Sequence, residues 1–429
     1  MLEVTAPAEP ASAKLALAGV RVLDLSKYWA GPALTEVLGN MGAEIIKVEA
    51  IQAPDNWRMG GARLAPVDDG ETPPYEASPI FNSVNRNKYG LTLDLTRPRG
   101  QELFKRLVPE ADVIVENYTP RVMPKFGLQY DALRELNEGL VMISLPAFGS
   151  TGPWREFVGF AYPTEQSTGF PQMMGYEDGK PMLWGCAGAD SIAGMTGVTA
   201  VLAALEYRRR TGRGQWIDLS QAEAITTFLG QPMLDYCFNG RLWPRRGNAH
   251  ATMAPHGCYR SAGEDAWVVV AVEDDTQFRR LCDVLERPDW AARGDLGSAG
   301  GRRDAHAELD EGIEAWTARR NHYEAAAELQ DSGVAAAPVL TGPEVLHDPH
   351  LNARGFFERS DRRWTGEMVH NGMWAKFSRT PGGVRMPAPL LGEHNDLILR
   401  GMLGLGDEEL AELARERIVG TEPNVGAAW

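Results

Sequence analysis

The chain has 429 residues, 44% of them hydrophobic and 24% charged, with a formal net charge of −15. This composition belongs to a globular protein of two domains or one large one. The acidic balance argues against a nucleic-acid-binding surface over most of the molecule, while leaving room for a local basic pocket. No apolar run approaches the roughly eighteen residues that a membrane span needs. Residues 1–17 begin with prolines and acids and lack a basic-then-apolar secretion signal, so a disordered leader is expected there. The four cysteines, Cys186, Cys237, Cys258 and Cys282, are widely spaced. They form no metal-ligand pattern and suit a reducing, cytoplasmic setting without a metal site.

In chain order, residues 20–26 (VRVLDLS) predict a strand, 33–41 a helix and 43–49 (AEIIKVE) a second strand. Residues 50–80 form a long loop rich in prolines and acids, and such loops are often functional. The alternation then resumes. Strands are expected at 91–95, 111–116 (ADVIVE) and 140–145 (LVMISL), with helices at 98–107 and 130–136 between them. This pattern predicts an α/β domain with a parallel sheet, its sites at the carboxyl ends of the strands. No Gly-x-Gly-x-x-Gly follows the first strand, so a nicotinamide site is not expected. A long helix over 191–210 precedes a strand at 216–219 and a helix from Ser220, and 231–259 reads as loop. The strand 267–272 (WVVVAV) and helices at 276–286, 305–319 and 323–332 suggest a smaller α/β domain closing with a strand at 335–340. Residues 368–377 read as antiparallel strand, and the tail over 387–416 ends in an acidic-then-apolar helix.

Asp190 is the residue on which function turns. It is a lone carboxylate in the small-residue run Gly188-Ala189-Asp190-Ser191, at the mouth of the long helix. One reading is an N-cap, its carboxylate accepting the free N–H groups of the helix start. The other is a reactive group. Gly185, Ala187, Gly188, Ala189 and Gly194 leave room for a ligand, and helix-start N–H groups stabilise an oxyanion. Cys186 lies nearby, where an apolar neighbourhood favours packing over nucleophilic chemistry.

Several segments together resemble the class III CoA-transferases, the family of formyl-CoA transferase, carnitine CoA-transferase and the α-methylacyl-CoA racemases. They are Val22-Leu23-Asp24-Leu25 with Ala30-Gly31-Pro32, Gly42 to Glu49, Asn85-Arg86-Asn87-Lys88 with Leu93-Asp94-Leu95, and Val115-Glu116-Asn117-Tyr118. Thr211 to Gln215, His347-Asp348-Pro349 and Ala388 to His394 follow in the family's order. The resemblance implies a large Rossmann-like domain with a parallel sheet, formed by residues 18–225 and 341–429. A smaller inserted α/β domain with its linker would occupy 226–340, and two chains would thread into an interlocked homodimer. It implies Asp190 as the catalytic nucleophile, with coenzyme A or an acyl-CoA bound as substrate and no tightly held cofactor. The family's CoA contacts carry over to Asn117, Tyr118, Lys125 and Phe126, and further to Asn85, Arg86 and Lys88. A position often basic in the family is Ala50 here, so Arg58 is expected to take that part. Trp29 stands where the family has a glutamine, which should reshape the acyl pocket toward a bulky or aryl acid. Phe160 and Trp184 are expected as its apolar walls; Glu165 is either a structural acid or a residue facing it, and His250, in the loop Gly247-Asn248-Ala249-His250, or His256 is a candidate contact for an acceptor carboxylate. Gly159-Phe160-Ala161-Tyr162 stands where the racemases carry a histidine, so the expected reaction is transfer of CoA from an acyl-CoA donor to a carboxylic acid. A racemase, a hydrolase or a non-catalytic CoA-binding subunit is the alternative.

Overall fold

The computed structural model describes residues 15–59, 72–185 and 187–424. The leader up to residue 14, the middle of the 50–80 loop and Cys186 lie outside the described residues. The chain divides into two compact units. The larger takes the residues up to Pro171, Leu183–Arg241 and the chain from Asn352 onward; the smaller takes Gln172–Met182 and Leu242–Leu351. The smaller unit thus takes a short piece from before residue 226, and its main stretch starts at Leu242 and runs past residue 340.

The larger unit is built on β1 (Arg21–Asp24), helix α1 (Ala30–Asn40), β2 (Glu44–Glu49), β3 (Lys88–Thr92), α2 (Pro98–Leu107), β4 (Val113–Glu116), β5 (Val141–Ser144), α3 (Gly188–Thr211) and β6 (Trp216–Asp218). The six strands form one parallel sheet in the order β3-β2-β1-β4-β5-β6. Successive strand residues face opposite sides. Leu23, Ile46, Val48 and Ile114 therefore enter one core with Phe104 and Leu107 of α2, while Val22, Ile45, Val113 and Ile143 enter a second with Leu34 and Leu38 of α1 and Val201 of α3. Both faces of the sheet are covered, which is why its strands read as continuous apolar runs. The third strand starts at Lys88 and not near residue 91, because its first residue is a buried lysine that no hydrophobic pattern marks.

Helix α4 (Gly230–Asn239) occupies part of the stretch expected as loop, and none of its residues is buried. The smaller unit holds β7 (His256–Arg260), β8 (Trp267–Ala271), helices α5 (Asp275–Val284), α6 (His306–Thr317) and α7 (His322–Asp331), and β9 (Ala335–Val339). Its sheet is antiparallel, in the order β7-β8-β9, and Trp290, Phe278, Leu309 and Ile313 fill its core. Returning to the larger unit, β10 (Phe357–Arg362) pairs with β11 (Gly366–Asn371) in a hairpin whose charged first strand the sequence pattern did not show. The chain then adds α8 (Asp407–Arg415).

Helix α3 corrects the view that no segment is apolar enough to span a membrane: its length and composition meet that description. Here it packs along α1 over the sheet. Gly194 faces the carbonyl of Ala30, and Gly197 faces Leu34 and Ile143, so two glycines one turn apart let the helices approach closely.

Candidate active site

Strand order reverses between β1 and β4, and a crevice opens beyond the carboxyl ends of two such strands. A cavity of about 760 Å³ lies there, lined by Lys27, Tyr28 and Trp29 after β1, Asn117 and Tyr118 after β4, and Asp190 and Ser191 of α3. Asn117 ties the two loops together: its Oδ1 accepts the N–H of Lys27 at 2.8 Å, and its Nδ2 donates to the Lys27 carbonyl at 2.7 Å. Tyr28 then takes a left-handed conformation, φ 62°, its N–H donating to Asp55. A non-glycine residue holds that shape only when its surroundings over-determine it, and such strain gathers at functional sites. The turn delivers the chain into α1, whose N-cap, Trp29, offers no side-chain oxygen.

Asp190 is not the N-cap of α3. The cap is Ala187, also left-handed at φ 50°, and Asp190 is the third residue of the first turn. Its carboxylate accepts the backbone N–H of Ala30, the first residue of α1. One carboxylate thus stands at two helix starts. Burial pushes its pKa up to about 6, with the Ala30 hydrogen bond opposing the rise. Asp190 is therefore not ionised without perturbation, as an ordinary aspartate would be; it is a mostly ionised and poorly solvated carboxylate at neutral pH.

The sequence-predicted residues separate into two groups. Trp29, Asn117, Tyr118 and Phe160 line the cavity with Asp190. Arg58, Asn85, Arg86 and Lys88 do not: all four are buried and engaged within the protein. Arg58 pairs with Glu49 and with Glu76, each at 2.9 Å. Arg86 pairs with Glu36. Asn85 Oδ1 accepts from Lys88 Nζ at 2.9 Å, and the same ammonium donates to Asp24 at 3.0 Å, to Thr35 at 2.7 Å and to the Pro32 carbonyl at 3.1 Å. Burial lowers the Lys88 pKa to about 8. Desolvation would raise Asp24, but Lys88 and Lys47 hold it down at about 2. Arg58 ties β2 to Glu76, while Asn85, Arg86 and Lys88 fasten α1 to the sheet. The sequence showed them as a polar turn, and only the fold shows that it is internal.

Lys125 is exposed at the end of the short helix Val122–Lys125, and Phe126 packs on the larger unit's core; neither lines the cavity. Glu165 is fully buried, and its Oε1 accepts the N–H of Trp184 at 2.9 Å. Trp184 leans on Phe170 and covers Gly188. This pair supports the segment leading to Asp190 and does not face the cavity. His250 sits in an exposed turn of the smaller unit, where its Nδ1 accepts the N–H groups of Thr252 and Met253, and its ring lies 5.2 Å from that of His256. Sequence reasoning missed Lys27, Tyr28, Trp57, Phe148, Arg155, Phe157 and Gln221, all on the cavity wall. The dense aromatics of residues 148–162 were the available signal.

Comparison with known proteins places this geometry in a class. The family model described as CoA-transferase family III matches residues 17–395. The chain belongs to CoA-transferase family III and is an enzyme of CoA transfer. It is 34% identical over 93% of its length to a succinyl-CoA–D-citramalate CoA-transferase of Chloroflexus aurantiacus, covering 97% of that protein. It is also 34% identical over 89% of its length to a succinate–glutarate CoA-transferase of Agrobacterium fabrum, covering 94% of it. Among solved structures, a CaiB/BaiF family protein from Brucella suis superposes with a TM-score of 0.81 at 30% identity, over 90% of this chain and 99% of that one.

Proposed function

We propose that this protein moves CoA from an acyl-CoA donor to a carboxylic acid through covalent intermediates on Asp190. The observation that carries the reading is the Asp190 carboxylate, set in the cavity with its pKa raised to about 6 and hydrogen-bonded to the first N–H of α1. Asp190 attacks the thioester carbonyl carbon; the C–S bond breaks, CoA leaves as thiolate and a mixed anhydride forms. The thiolate attacks the aspartyl carbonyl and expels the donor's carboxylate, leaving an aspartyl-CoA thioester. The acceptor carboxylate attacks that thioester and releases the thiolate again. The thiolate takes the acceptor's acyl group from the new anhydride, giving the product acyl-CoA and free Asp190. Each tetrahedral oxyanion forms beside helix-start N–H groups, which are already oriented toward negative charge.

CoA enters as substrate, with Asn117 and Tyr118 at the cavity wall as its contacts. Lys125 and Phe126 lie beyond the cavity and are candidates for the distal part of the cofactor. Among the described residues no histidine lines the cavity, which favours transfer over racemisation. A homodimer is part of the same reading. Helix α4 has no buried residue, and Phe228, Met233, Leu234, Tyr236 and Phe238 are exposed on or beside it, a face suited to a second copy.

The test is to incubate the protein with an acyl-CoA, quench with hydroxylamine and analyse the peptide that contains Asp190. A hydroxamate at Asp190, absent from Asp190→Ala, supports the mechanism. No adduct together with full turnover by Asp190→Ala overturns it.

A further inference from the structure

We infer that the acyl group handled at Asp190 is an aryl or similarly bulky apolar monocarboxylic acid, and not a dicarboxylic acid; this rests on the transfer reading above. The cavity walls are aromatic on two sides. On one, Tyr28 meets Phe160 edge-on at 5.5 Å and Trp57 at 6.0 Å, and Trp57 meets Trp29 at 6.1 Å. On the other, Phe148 and Phe157 line the cavity, with Trp154 stacked on Phe157 at 5.8 Å. Phe157 and Phe160 are each 55% exposed, so these rings have apolar surface to offer an incoming group. Aromatic faces held edge to edge form a slot that accepts another ring in offset-stacked or edge-to-face contact.

The charges point the same way. Besides Asp190, the cavity's described charged residues are Lys27 and Arg155. The Lys27 ammonium donates to the carbonyls of Ala53 and Pro54, at 2.6 and 3.3 Å, and stands in the field of Asp55 and Glu49. Arg155 is more than half exposed and pairs with Glu156. Arg155 is thus paired, and Lys27 is tied down by two backbone carbonyls beside Trp57 and Tyr28. Trp57 Nε1 is buried with no acceptor among the described residues, and it offers one neutral donor. A single N–H orients a polar substituent but does not offset the desolvation of a second carboxylate. Away from these two fixed cations, a dicarboxylate's distal charge would lie against aromatic rings.

The experiment is degenerate exchange, in which an acyl-CoA and its own radiolabelled free acid are the two substrates, so that no second acid enters the comparison. We expect 3-phenylpropionyl-CoA with labelled 3-phenylpropionate to exchange at least tenfold faster, in kcat/KM, than succinyl-CoA with labelled succinate. We also expect Phe157→Ala and Phe160→Ala to reduce the aryl exchange severalfold more than the exchange of acetyl-CoA with acetate. Succinate exchange as fast as or faster than aryl exchange overturns the inference and leaves CoA transfer at Asp190 standing. Equal losses for aryl and acetyl substrates in both variants also overturn it, because the rings would then serve CoA itself. No exchange with any pair, and no adduct on Asp190, defeats the transfer reading instead.

Discussion

The approach of α3 to α1 places Asp190 against Ala30, and Gly194→Ala tests that approach directly. A methyl carbon at position 194 would lie 2.8 Å from the Ala30 carbonyl oxygen, 3.4 Å from Ala33 Cβ and 3.5 Å from the Leu34 nitrogen. A comfortable carbon–oxygen contact is about 3.3–3.6 Å, so the two helices must part by roughly 0.5 Å. Overpacking of this kind costs about 1–3 kcal/mol, while replacing a helical glycine by alanine returns about 1 kcal/mol. The net loss of stability should thus be no more than about 2 kcal/mol. Activity should suffer more. Ala30 is the residue whose N–H binds the Asp190 carboxylate, and a displacement of about 1 Å can cost roughly a hundredfold in rate. Half of that displacement predicts a loss of about tenfold in kcat. The assay is steady-state turnover of an acyl-CoA with acceptor acid, measured beside thermal unfolding. Gly300→Ala is the control: it is helical, and its new methyl would find only ordinary contacts at 3.8 Å or more. Wild-type kcat with a raised melting temperature in Gly194→Ala would refute the reasoning, since the helices would then not be in limiting contact.

The acid limb of the kcat–pH profile should report Asp190, with activity falling as pH drops through about 6 and half lost near that value. Because the folded pKa lies above the free side chain's 3.8, the native state gains relative stability as pH falls from 6 and loses it as pH rises from about 4 to 6. Asp190→Asn should therefore abolish transfer yet stabilise the fold at pH 7 by on the order of 2 kcal/mol, read from denaturant melts; a destabilised variant would contradict the burial argument. Arg58→Met strands the buried Glu49 and leaves Glu76 to Arg362 alone, and should cost about 3–5 kcal/mol while leaving the KM for acyl-CoA near wild type; a large KM rise without loss of stability would make Arg58 a ligand contact after all. Glu165→Leu removes the acceptor of the Trp184 N–H and should lower kcat with little change in KM, and Glu165→Gln should rescue it; equal defects in the two variants would tie the effect to charge and not to support of the Asp190 segment.

The parallel sheet was legible because its strands, covered on both faces, are written as unbroken apolar runs such as 111–116 and 140–145. The first residue of β3 was not, because Lys88 is buried by pairing with Asp24 and not by hydrophobicity. The same cause misdirected the reading of Arg58 and Arg86. Arginine in a polar segment signals an anion, and the sequence does not say whether that anion is a ligand's phosphate or the protein's own Glu49, Glu76 or Glu36. The place of Asp190 on the cavity wall was legible because small residues surround it. Its hydrogen-bond partner was not, since Ala30 lies 160 positions earlier and comes close only when α1 and α3 pack. Helix α4 was missed for the opposite reason: its apolar residues lie on an exposed face and carry no burial pattern.

The helix starts around Asp190 also explain why the cap reading and the nucleophile reading part. Ser78 and Ser220 cap two short helices of the same unit with side-chain oxygens. Trp29 and Ala187, the caps of α1 and α3, have no oxygen to give, and neither makes a side-chain cap hydrogen bond. Leaving a helix start without a polar cap costs about 1 kcal/mol. Both uncapped starts border one cavity; of the N–H groups a cap would take, Asp190's own goes to the Ala187 carbonyl and Pro32 has none, which leaves those of Gly31 and Ala189. A capping aspartate would sit before its own helix and saturate that helix's donors. Asp190 sits inside α3 and reaches across to α1 instead. The result is a carboxylate with one fixed donor and little water.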